Sequence, residues 1–258
     1  MALSDKNELS FVAEDGFVSF IKTPWDSKVL KTNSISILQI KSPSGNYQSL
    51  LLNFRSFCIE QNIGFVSVRI PSINNQVKSA LQNTGFRIVE HTLDVTKKGL
   101  DLKKLEDLQN RIRIVTSDKV EDYLEDIRNI AANSFHYGRF FEDPFITKDA
   151  AALRNKNWIN DLIHQKAEFN ILTKKNTAIG FLSWQRSLDN DIRLLFGGVL
   201  ESYQHLSYPF WADVLLKLNP IRSLTTTISS SNTAVMNLYS YFGFNFVNPQ
   251  FGLHWHAI

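Results

Sequence analysis

The stretch NTAVMNLYSYFGF, residues Asn232–Phe244, decides how the C-terminal part of this sequence folds. Its pattern predicts a helix over Asn232–Phe242, followed by a Gly-Phe pair. A strand rich in β-branched residues, Ser223–Ile228, precedes the helix, and two strands, Asn245–Val247 and Gly252–His256, are predicted after it. The whole is a strand–helix–Gly–Phe–strand unit.

The same unit occurs earlier in the chain with identical spacing. The residues that match Asn232, Val235, Tyr239, Gly243 and Phe244 are Asn74, Val77, Leu81, Gly85 and Phe86. Short units of this kind can recur by chance in α/β proteins, and a truncated duplication is the second interpretation. Leucine replaces tyrosine in the first copy, so only the second copy has a proton donor there.

Upstream of the deciding stretch, apolar periodicity predicts alternating elements. A strand over Ile112–Val115 precedes a helix whose predicted cap is Asp118, with Glu121 completing a capping box. An aromatic loop, His136–Thr147, leads to a second helix that ends near Gln165. The remaining predicted elements are strands Phe169–Thr173, Ala178–Arg186 and Ile192–Val199 and a helix at about Ser207–Lys217.

The first part of the chain is predicted to be a smaller α/β unit. Its strands are Gly16–Lys22, Ser34–Ile40, Gly64–Ile70 and Phe86–Val95, and its helices are Ser49–Gln61 and Asn75–Thr84. Lys97–Asn110 is charged and helical in pattern, and we interpret it as a linker. Cys58 lies in an apolar helical pattern and is predicted to be a core residue.

Composition excludes several classes of protein. The chain has 258 residues and a net charge of only +3, which argues against nucleic acid as a partner. Its apolar runs are too short for a membrane span, and Met1–Ser10 has no apolar core of a secretory signal. A single cysteine excludes a disulfide framework and any multi-cysteine metal site. The expected location is the cytoplasm.

The element order and the motif Asn232-x-Ala234-x4-Tyr239-x3-Gly243-Phe244 resemble the GCN5-related N-acetyltransferase (GNAT) superfamily over Arg111–Ile258. A closer resemblance is to the TDP-fucosamine (TDP-4-amino-4,6-dideoxygalactose) acetyltransferase family, on Pro24–Ser27, Gly138–Pro144 and the pair Trp158-Ile159. The resemblance implies an α/β fold with a mixed sheet. A partial GNAT-like domain (1–98) and a linker (99–110) would precede a GNAT domain (111–258).

The resemblance assigns Tyr239 as the general acid. When an amine attacks a thioester, the departing CoA thiolate needs a proton, and a phenol has a higher pKa than a thiol, so it stays protonated until needed. The alternative is a core tyrosine with a satisfied hydroxyl. Pro24–Ser27 is interpreted as a structural turn at the domain junction.

Acetyl-CoA is the implied co-substrate. Gly197, Gly198 and Val199 end a strand whose free backbone amides would hold the pantetheine and an oxyanion in this fold. Alternatively, the glycines merely end the strand. The pyrophosphate loop would be Gln204, His205, Leu206, Ser207 and Tyr208, and Asn232 is also expected beside the cofactor. Ser207 and Pro209 replace the two glycines of the loop, which is the largest departure from the family pattern.

The aromatic loop is predicted to bind the acceptor. Arg139 could pair with a nucleotide-sugar phosphate, Phe140 could stack on a base or sugar, and Asp143 could orient a hydroxyl or the amine. The alternative is an Arg139–Asp143 ion pair that braces the loop.

His254 and His256 project to one side of the terminal strand because side chains alternate. No third ligand is evident in the sequence, so no metal site is predicted, and His254 is expected to line the acceptor site. Either histidine could be a base, and Asp191 and Glu201 are further candidates.

The sequence therefore predicts an N-acetyltransferase acting by direct attack on a nucleotide-linked amino sugar, in surface polysaccharide biosynthesis. Two alternatives stay open. The fold could have lost turnover and serve in binding or assembly, or the acceptor could be a peptide or a small metabolite. A homodimer is possible.

Overall fold

The computed structural model describes residues 8–257, which contribute to one mixed sheet of eleven strands. In chain order the strands are β1 (Leu9–Ala13), β2 (Gly16–Lys22), β3 (Asn33–Lys41), β4 (Ile63–Pro71), β5 (Arg87–Lys97), β6 (Val115–Ser117), β7 (Glu168–Lys174), β8 (Thr177–Arg186), β9 (Asp191–Val199), β10 (Ser223–Ser229) and β11 (Asn245–His256). Their order across the sheet is β1-β2-β3-β4-β11-β5-β10-β9-β8-β7-β6. The predicted fold class, α/β with a mixed sheet, is confirmed.

Helices cover both faces of this sheet. They are α1 (Pro24–Leu30), α2 (Tyr47–Glu60), α3 (Asn75–Asn83), α4 (Leu102–Arg111), α5 (Leu124–Asn133), α6 (Lys148–His164), α7 (Ser207–Leu218) and α8 (Thr233–Tyr241). Within residues 8–257, no helix combines the length and the apolar character needed to cross a bilayer.

The two parts of the chain exchange their last strands. β11, the final strand, lies between β4 and β5, while β5, the last strand of the first part, lies between β11 and β10. β5 and β11 pair antiparallel from Asn245 opposite Thr96 to His254 opposite Arg87. Each part therefore completes its sheet with a strand of the other, and a single hydrogen-bonded ladder runs through both.

The repeated sequence unit forms the same local structure twice. The Asn74 side chain accepts a hydrogen bond from the Val77 N–H at 3.2 Å, and Asn232 accepts one from Val235 at 3.1 Å. At the other helix end, Phe86 donates to the Leu81 carbonyl and Phe244 to the Tyr239 carbonyl, both at 3.0 Å. The shared residues therefore build the same helix caps in both units.

Strands β9 and β10 separate soon after they meet. Their parallel pairing covers only Ser223 to Thr225 opposite Asp191 to Arg193. Beyond that point β10 remains paired with β5 as far as Ser229, and β9 remains paired with β8. The sheet therefore opens between two diverging strands, and this gap positions the candidate site.

Separate apolar cores fill the two faces beside the gap. Helices α4, α7 and α8 pack on one face through Leu105, Phe210 and Leu238. Helices α5 and α6 pack on the other face through Ile127 and Ile159. Leu105 is buried, so the predicted linker contributes a packed helix to the core. Cys58 is buried in the core of the first part, as predicted, and burial raises the pKa of its thiol to about 12.

Several predicted boundaries are wrong for local reasons. The strand predicted at Ile112–Val115 lies at Val115–Ser117, and a 3-10 turn over Val120–Tyr123 precedes α5. The N-cap of that turn is Lys119 without a side-chain bond, so the Asp118 capping box does not form.

The chain ends differ from the prediction too. The two terminal strands are one strand, because a bulge between Val247 and Gln250 absorbs Pro249 without breaking the ladder. Strand β1 was not predicted, and the predicted turn Pro24–Ser27 is the start of α1. The polar stretch Met1–Ser10 lies mostly outside the described residues.

Candidate functional site

A cavity of about 440 Å³ occupies the gap between β9 and β10. Leu182, Trp211 and Tyr239 line it from the α7–α8 face, and Trp158 and Phe196 line it from the α5–α6 face. This central cavity therefore connects the two faces of the sheet, so that groups on opposite faces can reach one ligand.

Tyr239 lies in the last turn of α8 and lines the central cavity, with 4% of its surface exposed. The ring packs edge-on against Phe244 and Trp211, at centroid distances of 4.8 and 6.4 Å. Burial raises the pKa of Tyr239, and the nearby Trp211 indole N–H opposes this rise without a full hydrogen bond. The phenol is therefore a protonated group at neutral pH.

Of the three residues predicted at the end of β9, only Gly197 lines the central cavity. A Cβ there would lie 2.6 Å from the Phe181 carbonyl oxygen of β8, so the position accepts only glycine. A Cβ on Gly198 would meet the Phe135 ring at 3.0 Å, and Val199 packs with the α7–α8 core. Close packing against β8 at Gly197 and against the Phe135 ring at Gly198, rather than an open strand edge, explains this glycine pair.

The predicted pyrophosphate loop, Gln204–Tyr208, has a different structure from a phosphate-binding nest. A 3-10 helix over Glu201–Leu206 runs directly into α7, and the Ser207 N–H donates to the Gln204 carbonyl. Pro209 has no N–H, and the Tyr208 ring packs on Tyr241. None of residues 204–208 lines the central cavity. Some of the backbone amides that would hold a pyrophosphate therefore already donate hydrogen bonds within the turn.

Asn232 does line the central cavity, but its side-chain oxygen caps α8 by accepting from the Val235 N–H. Beside it, Glu142 of the aromatic loop accepts hydrogen bonds from the Ser229 and Ser231 hydroxyls at 2.7 and 2.8 Å. These bonds fasten the aromatic loop to the turn that opens α8.

Arg139 and Phe140 line the central cavity as the acceptor prediction requires, but Arg139 pairs with a different acid. Asp26 of α1, fully buried, accepts from Arg139 Nη2 and from Arg154 Nε, both at 2.8 Å. The alternative Arg139–Asp143 ion pair is wrong. Burial lowers the pKa of Arg139, and Asp26 opposes that effect.

The first part of the chain also contributes to the cavity wall. Arg69 of β4 and Glu90 of β5 line it, and Arg69 donates to Glu90 Oε1 from Nε at 3.0 Å and from Nη2 at 2.6 Å. Gly252 of β11 pairs with both residues, and a Cβ there would lie 2.5 Å from Glu90 Cγ. The glycine leaves the space through which this ion pair crosses the intervening strand.

Asp143 of the aromatic loop and His254 of β11 do not line the central cavity. Asp143 Oδ2 accepts from His254 Nδ1 at 2.6 Å and from His256 Nε2 at 2.8 Å, and Oδ1 accepts from the Phe145 N–H. A third ligand-bearing residue therefore accompanies the two histidines, contrary to the sequence expectation. The distances are those of hydrogen bonds that anchor the loop.

This anchor has a defined charge state. Burial acts to raise the pKa of Asp143, but the hydrogen bonds from His254, His256 and the Phe145 amide outweigh it and hold the pKa well below its usual range. Burial lowers the pKa of His254 to about 4, and the bond to Asp143 opposes the fall. Nε2 of His254 is buried without a partner in the described part of the chain, so a second proton there would be unsolvated.

The two other predicted bases lie away from the cavity. Asp191 bonds Arg222 and Ser223, and Glu201 is exposed at the start of its 3-10 turn. Glu90 and Asp26 were not singled out from the sequence. Two features of the sequence could have indicated them: Glu90 is an acidic residue inside an apolar strand pattern, and Asp26 is the acidic residue of the Pro-Trp-Asp-Ser motif.

Comparisons with known proteins identify the fold. No family model and no curated protein matches this sequence. A functionally unknown conserved protein from Staphylococcus epidermidis superposes with a TM-score of 0.65 at 13% identity, covering 97% of this chain and 95% of its own.

Structures that carry a GNAT name are among the similar ones. A GCN5-related N-acetyltransferase from Sphaerobacter thermophilus gives a TM-score of 0.63 at 10% identity over 97% of this chain and 81% of its own. A tandem GNAT protein from the clavulanic acid biosynthesis pathway gives 0.56 at 9% identity over 95% and 81%. The chain therefore has the fold of the GCN5-related N-acetyltransferases, extended over both of its parts.

Proposed function

We propose that this protein is an acyl-CoA-dependent N-acyltransferase with Tyr239 as its general acid. The observation that carries the proposal is the position of the phenol, at the tip of α8 in a cavity between two diverging strands. Acyl-CoA would supply an activated thioester at that place.

The surroundings of Tyr239 suit a proton donor. Because burial raises its pKa, the hydroxyl keeps its proton until a thiolate develops beside it. Trp211 lines the same wall, and its indole N–H has no partner within residues 8–257. A buried unpaired donor is costly, so this N–H fits a ligand oxygen or the Tyr239 oxygen when the cavity is filled.

The thioester end and the pyrophosphate end of CoA fit this chain unequally. The cavity beside Tyr239 and Gly197 has room and donors for a thioester. The Gln204–Tyr208 segment does not present the open amides that usually hold a pyrophosphate. We therefore expect acyl-CoA to bind mainly through its acyl and pantetheine portion, and weakly.

The acceptor we propose is the amine of a nucleotide-linked amino sugar, as the resemblance to the TDP-fucosamine acetyltransferases implies. Four arginines line the central cavity, Arg69, Arg139, Arg154 and Arg193, whereas Glu90 is the acidic residue among its described lining. Arg139 and Arg154 each direct one N–H to Asp26, which leaves further donors for a diphosphate. The half-buried ring of Trp158 lines the cavity and offers a stacking surface, whereas Phe140 is buried and packs against Phe65 and His254.

A second candidate function is a binding or assembly module without turnover. The closed 3-10 turn at Gln204–Ser207 favours it, because a GNAT fold that cannot hold CoA cannot transfer an acyl group. A peptide or small-metabolite acceptor remains the third candidate. The cytoplasmic location, the possible homodimer and the lack of a nucleic-acid partner stay predictions.

The experiment measures acyl transfer from acetyl-CoA and longer acyl-CoAs to TDP- and UDP-linked amino sugars. Tyr239→Phe should reduce turnover by roughly 100-fold or more, because general acid catalysis contributes that much. Tyr241→Phe is the matched control, since Tyr241 is 40% exposed on the same helix. Wild-type turnover in the Tyr239 variant would remove the assigned role. No thermal shift of the wild type with any acyl-CoA would favour the binding module.

A further inference from the structure

Two polar side chains of β5 face the central cavity without complete partners. Glu90 and Thr92 both line it, and both side chains are buried. Residues two apart on a strand lie on the same face, so the two groups are neighbours along the cavity wall. Glu90 is the acidic residue of the described lining, and its other charged residues are arginines.

Glu90 has one oxygen to spare. Both hydrogen bonds from Arg69, from Nε and Nη2, go to Oε1. Among residues 8–257 no donor reaches Oε2, although a carboxylate accepts through both oxygens. Glu90 lines the cavity and its Oε2 is not among the fully buried unpaired atoms of the described chain, so this oxygen is accessible and can accept a hydrogen bond from a ligand.

Thr92 gives an independent indication at the same place. Its Oγ1 is buried and has no hydrogen-bond partner within the described chain. A hydroxyl oxygen can accept one hydrogen bond from the same ligand group that donates to Glu90. Two acceptors side by side match a group with several N–H donors and a positive charge, which describes an ammonium group.

We propose that Glu90 and Thr92 form the subsite for the acceptor's ammonium group, and that Glu90 receives the proton which makes the amine nucleophilic. The proposal rests on the proposed acyl transfer. The ammonium subsite adds to that function the charge of the acceptor, which would be a zwitterion with its cationic end at Glu90 and its anionic end at Arg139 and Arg154.

The protons balance in this scheme. The nitrogen forms a bond to the acyl carbon while the carbon–sulfur bond breaks. Of the two protons that an ammonium nitrogen loses on becoming an amide, one passes through Glu90 to solvent. The other proton offsets the one that Tyr239 gives to the sulfur, because the tyrosine hydroxyl is reprotonated afterwards. The first part of the chain thus supplies the base side of the reaction and the second part the acid side.

Glu90→Gln tests the subsite because the amide keeps the shape and an oxygen for Arg69 but removes the charge. We expect the KM for the amino sugar to rise at least tenfold while the KM for acyl-CoA is unchanged. Glu90→Asp, which keeps the carboxylate, should restore part of the activity. Thr92→Val should raise only the acceptor KM, and Glu60→Gln, on the exposed face of α2, is the control.

A binding measurement separates this inference from the proposed function. Calorimetry compares the wild type with Glu90→Gln for TDP-4-amino-4,6-dideoxygalactose and for its 4-hydroxy counterpart. The wild type should prefer the amino sugar, and the folded variant should lose that preference. If the wild type binds both sugars with equal affinity, or binds neither, the ammonium subsite is overturned. A retained preference without any acyl transfer overturns only the transferase.

Discussion

Arg69 of β4 donates to Glu90 of β5 at 2.6 Å across Gly252, which belongs to the strand that lies between them. The intervening strand is β11, the last element of the chain. Arg69 and Glu90 both belong to the first part of the chain, but they can meet only because the second part places a glycine, Gly252, between them. The wall of the candidate site depends on the exchange.

Gly252→Ala should reduce stability by about 1–3 kcal/mol, because the added Cβ would lie 2.5 Å from Glu90 Cγ and overpacks the site. Urea unfolding measures the loss. Glu90→Ala removes the atoms that clash, so the same glycine substitution should cost much less in that background. Equal costs in both backgrounds would show that Glu90 is not what the glycine accommodates.

Asp26→Asn should destabilise the fold by about 3 kcal/mol, because it leaves two arginines beside a buried site without their counter-charge. Chemical denaturation measures the change. Asp191→Asn is the matched control, since Asp191 also pairs with an arginine, Arg222, but at the surface. Water screens that pair, so its loss should have little effect. Similar losses in the two variants would contradict the assigned role of Asp26.

Stability should fall as pH is lowered from about 6.5 to about 4. The pKa of His254 is lowered to about 4 in the folded state, so the unfolded state binds more protons in this window. The stabilisation is complete above the unfolded pKa and is lost on acidification, by about 3 kcal/mol in total. Below pH 4 the protonation of Asp143, whose pKa is lowered, should destabilise further.

His254→Asn provides the comparison for this pH dependence, because its amide can donate to Asp143 but does not titrate. Urea midpoints recorded between pH 7.5 and pH 4.5 should fall less for the variant than for the wild type. If the two proteins lose stability in parallel over that range, other groups are responsible for the pH dependence.

Separation of the chain at Lys98-Gly99 should yield two pieces that do not fold alone. Each piece would lack the strand that pairs with β4 or with β10, and its exposed edges would lose a full ladder of hydrogen bonds. Circular dichroism of residues 1–98 and 99–258, alone and mixed, measures this. The mixture should regain the circular dichroism spectrum of the intact chain. Independent folding of either piece would contradict the prediction.

Local patterns were sufficient for most of the fold. Helix caps such as Asn74 and Asn232 and the Gly-Phe pairs after them act within a few residues, so their structure follows from spacing alone. Side-chain periodicity likewise placed the strands β2 and β4. The failures near Asp118 and Pro249 occur where a 3-10 turn or a bulge competes with regular structure at small energetic cost.

The sequence by itself determined the repeated unit, the mixed α/β fold and Tyr239 as the residue to examine, because each depends on neighbours along the chain. The tertiary structure alone decided that Asp26 pairs with Arg139, and that Glu90 lies at the same cavity as Tyr239. The strand exchange, in which β5 and β11 each complete the other part's sheet, was also visible only there. Contacts of this kind join residues more than one hundred positions apart, and nothing in the local pattern of either residue specifies its partner.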